Sequence, residues 1–289
     1  MSDLKPFYSD VQSHYDLSDD FFALFLDPSM TYSCAYFQRE DMTLEEAQLA
    51  KIDLALGKLN LAPGMTLLDV GCGWGSTIKR ALQKYDVNVI GLTLSRNQYD
   101  RVNPELAALP NPTGRTAEVR LQGWEEFDGP VDRIVSIGAF EHFRKERHTA
   151  FLEKTYRLLP PAGRMLLHTI VLYNDQDLAA MGISPSFERL LFGLFVSQEI
   201  FPGGQLPDPR KIRDLGPAAG YVLEREQALQ LHYARTLDLW ADALQSRQSR
   251  ALAVGGRTVY ERYLKYLTGC ADSFREGAID VIQFTLVKE

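Results

Sequence analysis

The stretch "SIGAFEHF" (Ser136 to Phe143) sets a carboxylate, Glu141, and a histidine, His142, between Phe140 and Phe143, just after the apolar run "DRIV". An ionised carboxylate among aromatic rings is costly unless something pairs with it, so Glu141 either lies at the wet end of a strand or does chemistry. His142 adjoins it, but consecutive residues point apart, which makes His142 a structural or surface residue. A second chemical stretch is "LLDVGCGWGS" (67–76), where Gly71, Gly73 and Gly75 follow a strand that carries Asp69. Glycines let the backbone come close to a ligand. A strand–loop–helix junction at the carboxyl edge of a parallel sheet is where doubly wound folds bind nucleotides.

The glycine spacing discriminates between ligands. A dinucleotide fingerprint, GxGxxG, calls for Gly or Ala at position 76, where this chain has Ser76. GxGxG behind an acidic residue is instead the pattern of S-adenosylmethionine methyltransferases. That ligand has no pyrophosphate and needs no helix N-terminus for one. Many such enzymes hold the ribose with a carboxylate at the end of the second strand. Here that end reads "GLTLSRNQ" (91–98), and Thr93, Ser95 and Gln98 are the hydrogen-bonding substitutes. "GWEEF" (123–127) follows the third strand, where a tryptophan face and an acidic side chain commonly hold adenine; Trp124 reads equally as a core residue. His168 and Tyr233 taken alone read as buried residues with satisfied polar atoms.

The elements that position these groups follow from periodicity. "MTLLDV" (65–70), "VNVIGL" (87–92), "EVRLQ" (118–122), "DRIVSI" (132–137) and "RMLLHTI" (164–170) are short apolar runs separated by helix-like or turn-rich segments. Such alternation predicts an α/β fold with a parallel sheet covered on both faces. Residues 1–63 read as a helical extension. In it Ser18 caps "LSDDFFALFL", and Thr43 with Glu46 forms a capping box ahead of "LEEAQLAKIDLALGKL". After 170 the alternation stops, and 171–220 reads as a helical insertion. Within it Phe187, Leu190, Leu191, Leu194 and Phe195 form one broad stripe, either a core helix or a lid over an apolar ligand. Residues 221–289 hold further helices and the last strands, ending in the alternating run "DVIQFTLVKE". The basic run "RKERH" (144–148) reads as a solvated helix start.

Composition bounds the function. The 289 residues are 45% apolar and 24% charged, as in ordinary globular proteins. A net charge of −7 weighs against a general nucleic-acid partner. Three cysteines with no CxxC suggest neither a disulfide framework nor a metal site. With no membrane-spanning run and no signal-peptide pattern, the expected location is the cytoplasm.

Several stretches together carry a more specific signal: "HYDLSDDFFALFLDPSMTYSCAYF", "LLDVGCGWG", "GLTLSRNQ", "GWEEF", "SIGAFEHF", "EIFPGGQLP", "LQLHYARTLDLW" and "YLKYLTGC". Nearly end to end, the chain resembles the mycolic acid cyclopropane synthases and their methyltransferase relatives. The resemblance implies a Rossmann-like class I methyltransferase with a seven-stranded, mostly parallel sheet. It implies methyl transfer from S-adenosylmethionine to a double bond of a long acyl chain, then proton loss to close a three-membered ring. It implies cofactor contacts by Tyr32 and Ser33; by Leu67, Leu68, Asp69, Val70, Gly71, Cys72, Gly73, Trp74 and Gly75; by Thr93, Leu94, Ser95, Arg96, Asn97 and Gln98; and by Trp124, Glu125 and Ile137. A bicarbonate ion is implied beside the methyl donor, held by Glu141, His168, Tyr233 and the backbone of Cys34. Cys270 matches a cysteine proposed as catalytic, which the bicarbonate reading makes a pocket wall. Gly138 matches the cyclopropane-forming pattern, since hydroxylating relatives carry glutamate there. A long acyl chain, on an acyl carrier protein or at a membrane surface, is the implied partner.

The chemistry asks for such residues. An alkene is a poor nucleophile, and methylation leaves a carbocation that water would capture, so the site must be dry. Aromatic faces stabilise a cation without reacting with it. The chain has 15 Phe and 13 Tyr, and Tyr15, Phe21, Tyr32, Tyr36, Phe140 and Tyr266 lie near the motifs. Three alternatives stay open at this point. They are a sister reaction leaving a methyl branch or hydroxyl, a methyltransferase for a small polar acceptor, and a lipid or carrier-protein binder that does not bind the cofactor. A nicotinamide-dependent dehydrogenase is disfavoured by Ser76.

Overall fold

A computed structural model describes residues 4–6 and 18–289. Its strands are β1 (Thr66–Val70), β2 (Asn88–Thr93), β3 (Ala117–Leu121), β4 (Arg133–Ile137), β5 (Arg164–Leu172), β6 (Tyr221–Ala228) and β7 (Ile279–Lys288). They form one 7-stranded sheet in the order β3-β2-β1-β4-β5-β7-β6. The pairings among β1 to β5 are parallel, while β7 runs antiparallel to both β5 and β6. Helices are α1 (Asp19–Phe22), α2 (Leu44–Gly57), α3 (Ser76–Tyr85), α4 (Arg96–Ala107), α5 (His148–Leu158), α6 (Asp175–Ala180), α7 (Phe187–Phe195), α8 (Pro209–Ala218), α9 (Gln230–Ser246) and α10 (Gln248–Glu276).

Neighbouring residues of one strand feed opposite cores, which is why the strands read as continuous apolar runs. Leu67 joins Val89, Val135 and Leu166 under Ile52 of α2, Ile78 of α3 and Val102 of α4. Leu68 joins Ile134, Met165 and Leu167 under Phe151 of α5 and Ile212 of α8. A third cluster is built from Phe21, Phe22 and Phe25 against α9 and α10, around Trp240 and Tyr263.

The N-terminal reading needs correction. Thr43 and Glu46 form the capping box expected at the start of α2. The helix expected over "LSDDFFALFL" is only the single turn α1, and Ser18 makes no side-chain cap bond there. Between α1 and α2 the chain is irregular. The cause is local: the residue before Pro28 is disfavoured in helical backbone. The Asp27 carboxylate then accepts from the amides of Ser29 (2.9 Å) and Thr31 (3.2 Å), so the chain turns away. Tyr15 and the rest of the reading over 7–17 lie outside the described residues.

The apolar stripe of α7 is not a core face. Phe187, Leu190, Leu191 and Leu194 are 72%, 59%, 50% and 46% exposed. The helix docks through its other side, with Phe192 against Gly269 and Phe195 under the Lys265 ammonium. Among the described residues no helix is long and apolar enough to cross a membrane.

The glycine loop shows why small residues are required at the ligand edge. Gly71 has φ +85°, and a Cβ there would sit 2.4 Å from the Ala139 Cβ in the turn after β4. Gly71→Ala is therefore expected to lower stability by about 2–4 kcal/mol, from left-handed strain plus overpacking. A urea melt checks it: the midpoint should fall with an unchanged slope, and an unchanged midpoint would mean that the two loops do not touch.

Candidate active site

The carboxyl ends of β1, β2 and β4 open into one cleft. Tyr32, Ser33, Asp69, Val70, Gly71, Cys72, Gly73, Trp74, Thr93, Leu94, Gln98, Trp124, Glu125 and Ile137 line it. Six residues expected at the cofactor do not. Leu67 and Leu68 are consumed by the two cores of the sheet. Gly75 caps α3 against Val102, and Ser95 caps α4 by accepting from the Gln98 amide. Arg96 and Asn97 follow in the first turn of α4 and do not reach the cleft.

Sequence reasoning missed two lining residues that matter, Lys51 and His142, while a third, Gly138, is marked by the resemblance. Lys51 is 1% exposed and donates to the Ser33 hydroxyl at 2.8 Å. Burial brings its ammonium down to about 8. The signal was available, because Ala47, Lys51 and Ala55 recur every four residues on one face of α2, the buried face. His142, read as structural or surface, lines the cleft, where burial brings it down to about 4. Gly138 lines it with φ +67°, so a side chain there would be strained.

The lining suits a ligand carrying both charges and an aromatic ring. Asp69 is 2% exposed with Oδ2 unpaired, and burial raises it to about 7 while Lys51 opposes. Among the described residues the Trp124 indole N–H has no partner, and its ring is fixed by Phe143 at 5.7 Å and Phe151 at 5.3 Å. Glu125 accepts from Arg147 at 2.9 Å, which orients it beside Trp124. Gln98 pairs with the Thr93 hydroxyl at 2.7 Å. Beyond Gly73 a side chain would meet open space, so the loop backbone faces the cleft bare.

Behind the cleft wall lies a second group. Glu141 sits in the 3-10 turn Phe140–His142 after β4, 6% exposed. Its Oε1 accepts from the Ile170 amide of β5 at 2.6 Å, while Oε2 is buried without a partner among the described residues. Burial raises this carboxyl to about 7, against the pull of the Ile170 and Thr169 hydrogen bonds. His168, on the same strand, pairs at Nδ1 with Gln283 at 3.2 Å. Tyr233, in the first turn of α9, is 6% exposed and lies within electrostatic reach of Cys34, Cys270, Glu141 and Tyr266. The Cys34 thiol points to backbone carbonyls of Ala35 and Leu229 and is pushed far up by burial. Cys270 is pushed up to about 12. Neither is a thiolate near neutral pH, which fits walls rather than nucleophiles.

Aromatic rings connect the two groups. Tyr32 lines the cleft, its ring 5.4 Å from Trp240, and its hydroxyl donates to Tyr266 at 3.4 Å. Phe201 packs against Tyr266 at 5.6 Å. Phe21 belongs to the third core cluster, Tyr36 packs on His232 at 4.8 Å and Phe140 stacks on His148 at 3.9 Å. Among the described residues no cluster of His, Cys, Asp or Glu could hold a metal ion.

Comparison with known proteins gives a consistent picture. The sequence model of a family described as "Mycolic acid cyclopropane synthetase" matches residues 2–284. Cyclopropane mycolic acid synthase MmaA2 of Mycobacterium tuberculosis is 58% identical over 288 residues, covering 100% of both chains. Its solved structure superposes with TM-score 0.97 over 99% of this chain and 100% of that one. The S-adenosylmethionine-dependent methyltransferase UmaA of the same organism is 56% identical over 288 residues, again covering 100% of both. The structure of mycolic acid cyclopropane synthase CmaA1 complexed with SAH and CTAB matches with TM-score 0.96 at 58% identity. It covers 99% of this chain and 100% of that one. The fold is thus the Rossmann-like class I methyltransferase fold.

Burial of Glu141 has a stability consequence with a definite sign. Its proton is held more tightly in the folded chain, at about 7, than at the ordinary 4.5. The folded state therefore loses stability as pH rises from the ordinary carboxylate range through about 7. Glu141→Gln removes this titration. The variant should match the wild type in acid and exceed it by about 3 kcal/mol above neutrality. Urea midpoints of the pair across pH test this, and a constant difference would show that Glu141 is not desolvated.

Proposed function

The chain belongs to the mycolic acid cyclopropane synthetase family, and on that premise we propose that it methylates a double bond of a long-chain mycolic acid precursor with S-adenosylmethionine and closes a cyclopropane ring. The observation that carries the reading is Glu141, a buried carboxyl at the ligand edge of the sheet with one oxygen unpaired among the described residues. A methyltransferase for a small polar acceptor has no use for a dry anion-handling group there.

The lining fits the cofactor group by group. Trp124 offers a ring face and a spare N–H to adenine. Glu125 and Gln98 offer hydrogen bonds to the nucleoside. The bare backbone at Gly73 and the opposite charges of Asp69 and Lys51 suit an amino-acid moiety. Bound there, the cofactor supplies an electrophilic methyl group on a sulfonium. Tyr32, Tyr266 and Phe201 pack together beside the same region, and aromatic rings stabilise positive charge on an acyl chain without capturing it. The buried surroundings of Glu141, His168 and Tyr233 keep water from that charge. These three residues, with the backbone at Cys34, fit a bicarbonate ion, which supplies a compact base for the departing proton. Glu141 would accept a hydrogen bond from that ion's own hydroxyl, which offsets the repulsion between the two anions, while His168 and Tyr233 would donate to it. Gly138 favours ring closure over hydroxylation, because a larger residue in its left-handed conformation would project toward Ser33 beside the cleft. The acyl chain reaches this region past the exposed stripe of α7, which shields part of it from solvent.

Incubation with lipid extract and isotope-labelled cofactor tests the reading. The expected product gains one labelled CH₂ and shows ring protons by NMR; a methyl branch or an alcohol would redirect it to a sister reaction. Glu141→Gln should lose most turnover, about a hundredfold or more, with cofactor affinity within about twofold. Wild-type turnover in that variant would remove the anion site. The double change Leu190→Ser, Leu191→Ser should raise the KM for the acyl substrate about tenfold through lost apolar contact. Cofactor affinity should stay unchanged, and equal losses of both would mean that α7 serves only the fold.

A further inference from the structure

His168 is held by a chain of two side chains whose polarity can be read in only one direction. His168 on β5 and Gln283 on β7 are directly opposed residues of the antiparallel pair, so their side chains share a face of the sheet. Both are buried, at 2% and 0% exposure. The Gln283 amide nitrogen lies 3.2 Å from Nδ1 of His168. At the other end, the Lys58 ammonium lies 2.5 Å from the Gln283 amide oxygen. Lys58 caps the C-terminus of α2, and its carbonyl accepts from Arg164 at 3.2 Å, which anchors that helix end to the start of β5.

An ammonium has three donors and no acceptor, so only the oxygen of the Gln283 amide can face it. The NH₂ of the amide is thereby turned toward His168. Since NH₂ is a donor, Nδ1 must present a lone pair, and the neutral ring carries its proton on Nε2. Protonating Nδ1 would set N–H against N–H and add a third positive charge near Lys51 and Lys58, both of which oppose it. Burial and both ammonium groups hold the imidazolium far below its ordinary range.

From this geometry we infer that Lys58 and Gln283 are positioning residues that lock His168 as a neutral imidazole with a permanent Nε2–H donor. His168 is then a fixed hydrogen-bond donor for a small oxyanion and takes no part in shuttling protons. The inference rests on the reading that Glu141, His168 and Tyr233 surround such an ion. It adds two residues to that reading, one of them on the far side of the sheet residue it orients. It also divides the labour: the proton that the reaction releases goes to the anion, with no pathway through the imidazole.

The test is nitrogen NMR of ¹⁵N-histidine-labelled full-length protein, with the His168 signal assigned by its loss in His168→Ala. The expected wild-type spectrum shows the Nε2–H tautomer, unchanged across the window in which an ordinary histidine titrates. A wild-type Nδ1–H pattern, or titration in that window, overturns the lock. Gln283→Glu places a carboxylate that accepts from both neighbours, so the proton should move to Nδ1 and turnover should fall about tenfold or more. Cofactor affinity should stay within about twofold of the wild type. Lys58→Met, at the less buried end, should give a mixture of tautomers, and Lys58→Arg should restore the wild-type signature. Retention of Nε2–H in both Gln283→Glu and Lys58→Met overturns the proposal. If His168→Ala turns over like the wild type while the wild-type Nε2–H signal stands, the anion-site reading has failed and the lock has not.

Discussion

Desolvation of ionisable groups at the carboxyl edge of the sheet is the constraint on which the rest depends. Asp69 and Glu141 are both raised to about 7, and Lys51 is brought down to about 8, by burial first of all. None of the three has a direct ion-pair partner among the described residues. Such groups are tolerated only because large apolar clusters on both faces hold the strands in place around them. In the reaction proposed above, the same dryness that makes them costly would let a carbocation survive long enough to lose a proton. Stability and chemistry therefore pull against each other at the same residues, a common trade at active sites.

Much of this was legible in the residues. The apolar runs gave the parallel strands because each is buried on two faces, and the glycine spacing with Ser76 separated one cofactor class from another. Thr43 and Glu46 marked the start of α2 because a capping box needs only local geometry. The failures have physical causes. The segment from Ala23 to Thr43 looked helical by composition, yet one Asp–Pro–Ser turn diverts it, a local bond outweighing weak propensity. Periodicity put Phe187, Leu190, Leu191, Leu194 and Phe195 on one face of α7; the first four do share an exposed face, but Phe195 turns to the docked side, and period alone carries no information on which face meets the protein. Lys51 escaped because a lysine on a helix is ordinarily solvated; its burial depends on packing against the sheet. Leu67, Leu68, Gly75 and Ser95 share the motifs of the cleft but serve the scaffold beneath it. Gln283 carried no local signal at all, since its partners lie at positions 58 and 168.

Two short segments divide the site. Tyr32 and Ser33 face the cleft, whereas Cys34, fully buried, turns its thiol to backbone carbonyls. Ile137 and Gly138 likewise face the cleft, while Glu141, three residues on, lies behind it. The wall between the two regions is thus little more than one layer of backbone on each side. This explains the glycines and small residues at its closest points: Gly71 against Ala139, and Gly138 near Ser33.

The sheet order places β7 between β5 and β6, so the strand that comes latest in sequence is an interior one. Its pairing with β5 runs from Arg164↔Val287 to Leu172↔Ile279, spanning more than a hundred residues of intervening chain. Contacts of such long sequence separation form late, after the local βα units have collapsed. During synthesis, the nascent polypeptide therefore holds an open, hydrogen-bond-hungry flank along β5 until residues 279–288 leave the ribosome. Until then Gln283 is missing, so His168 waits for its cross-strand partner until more than a hundred further residues have been made.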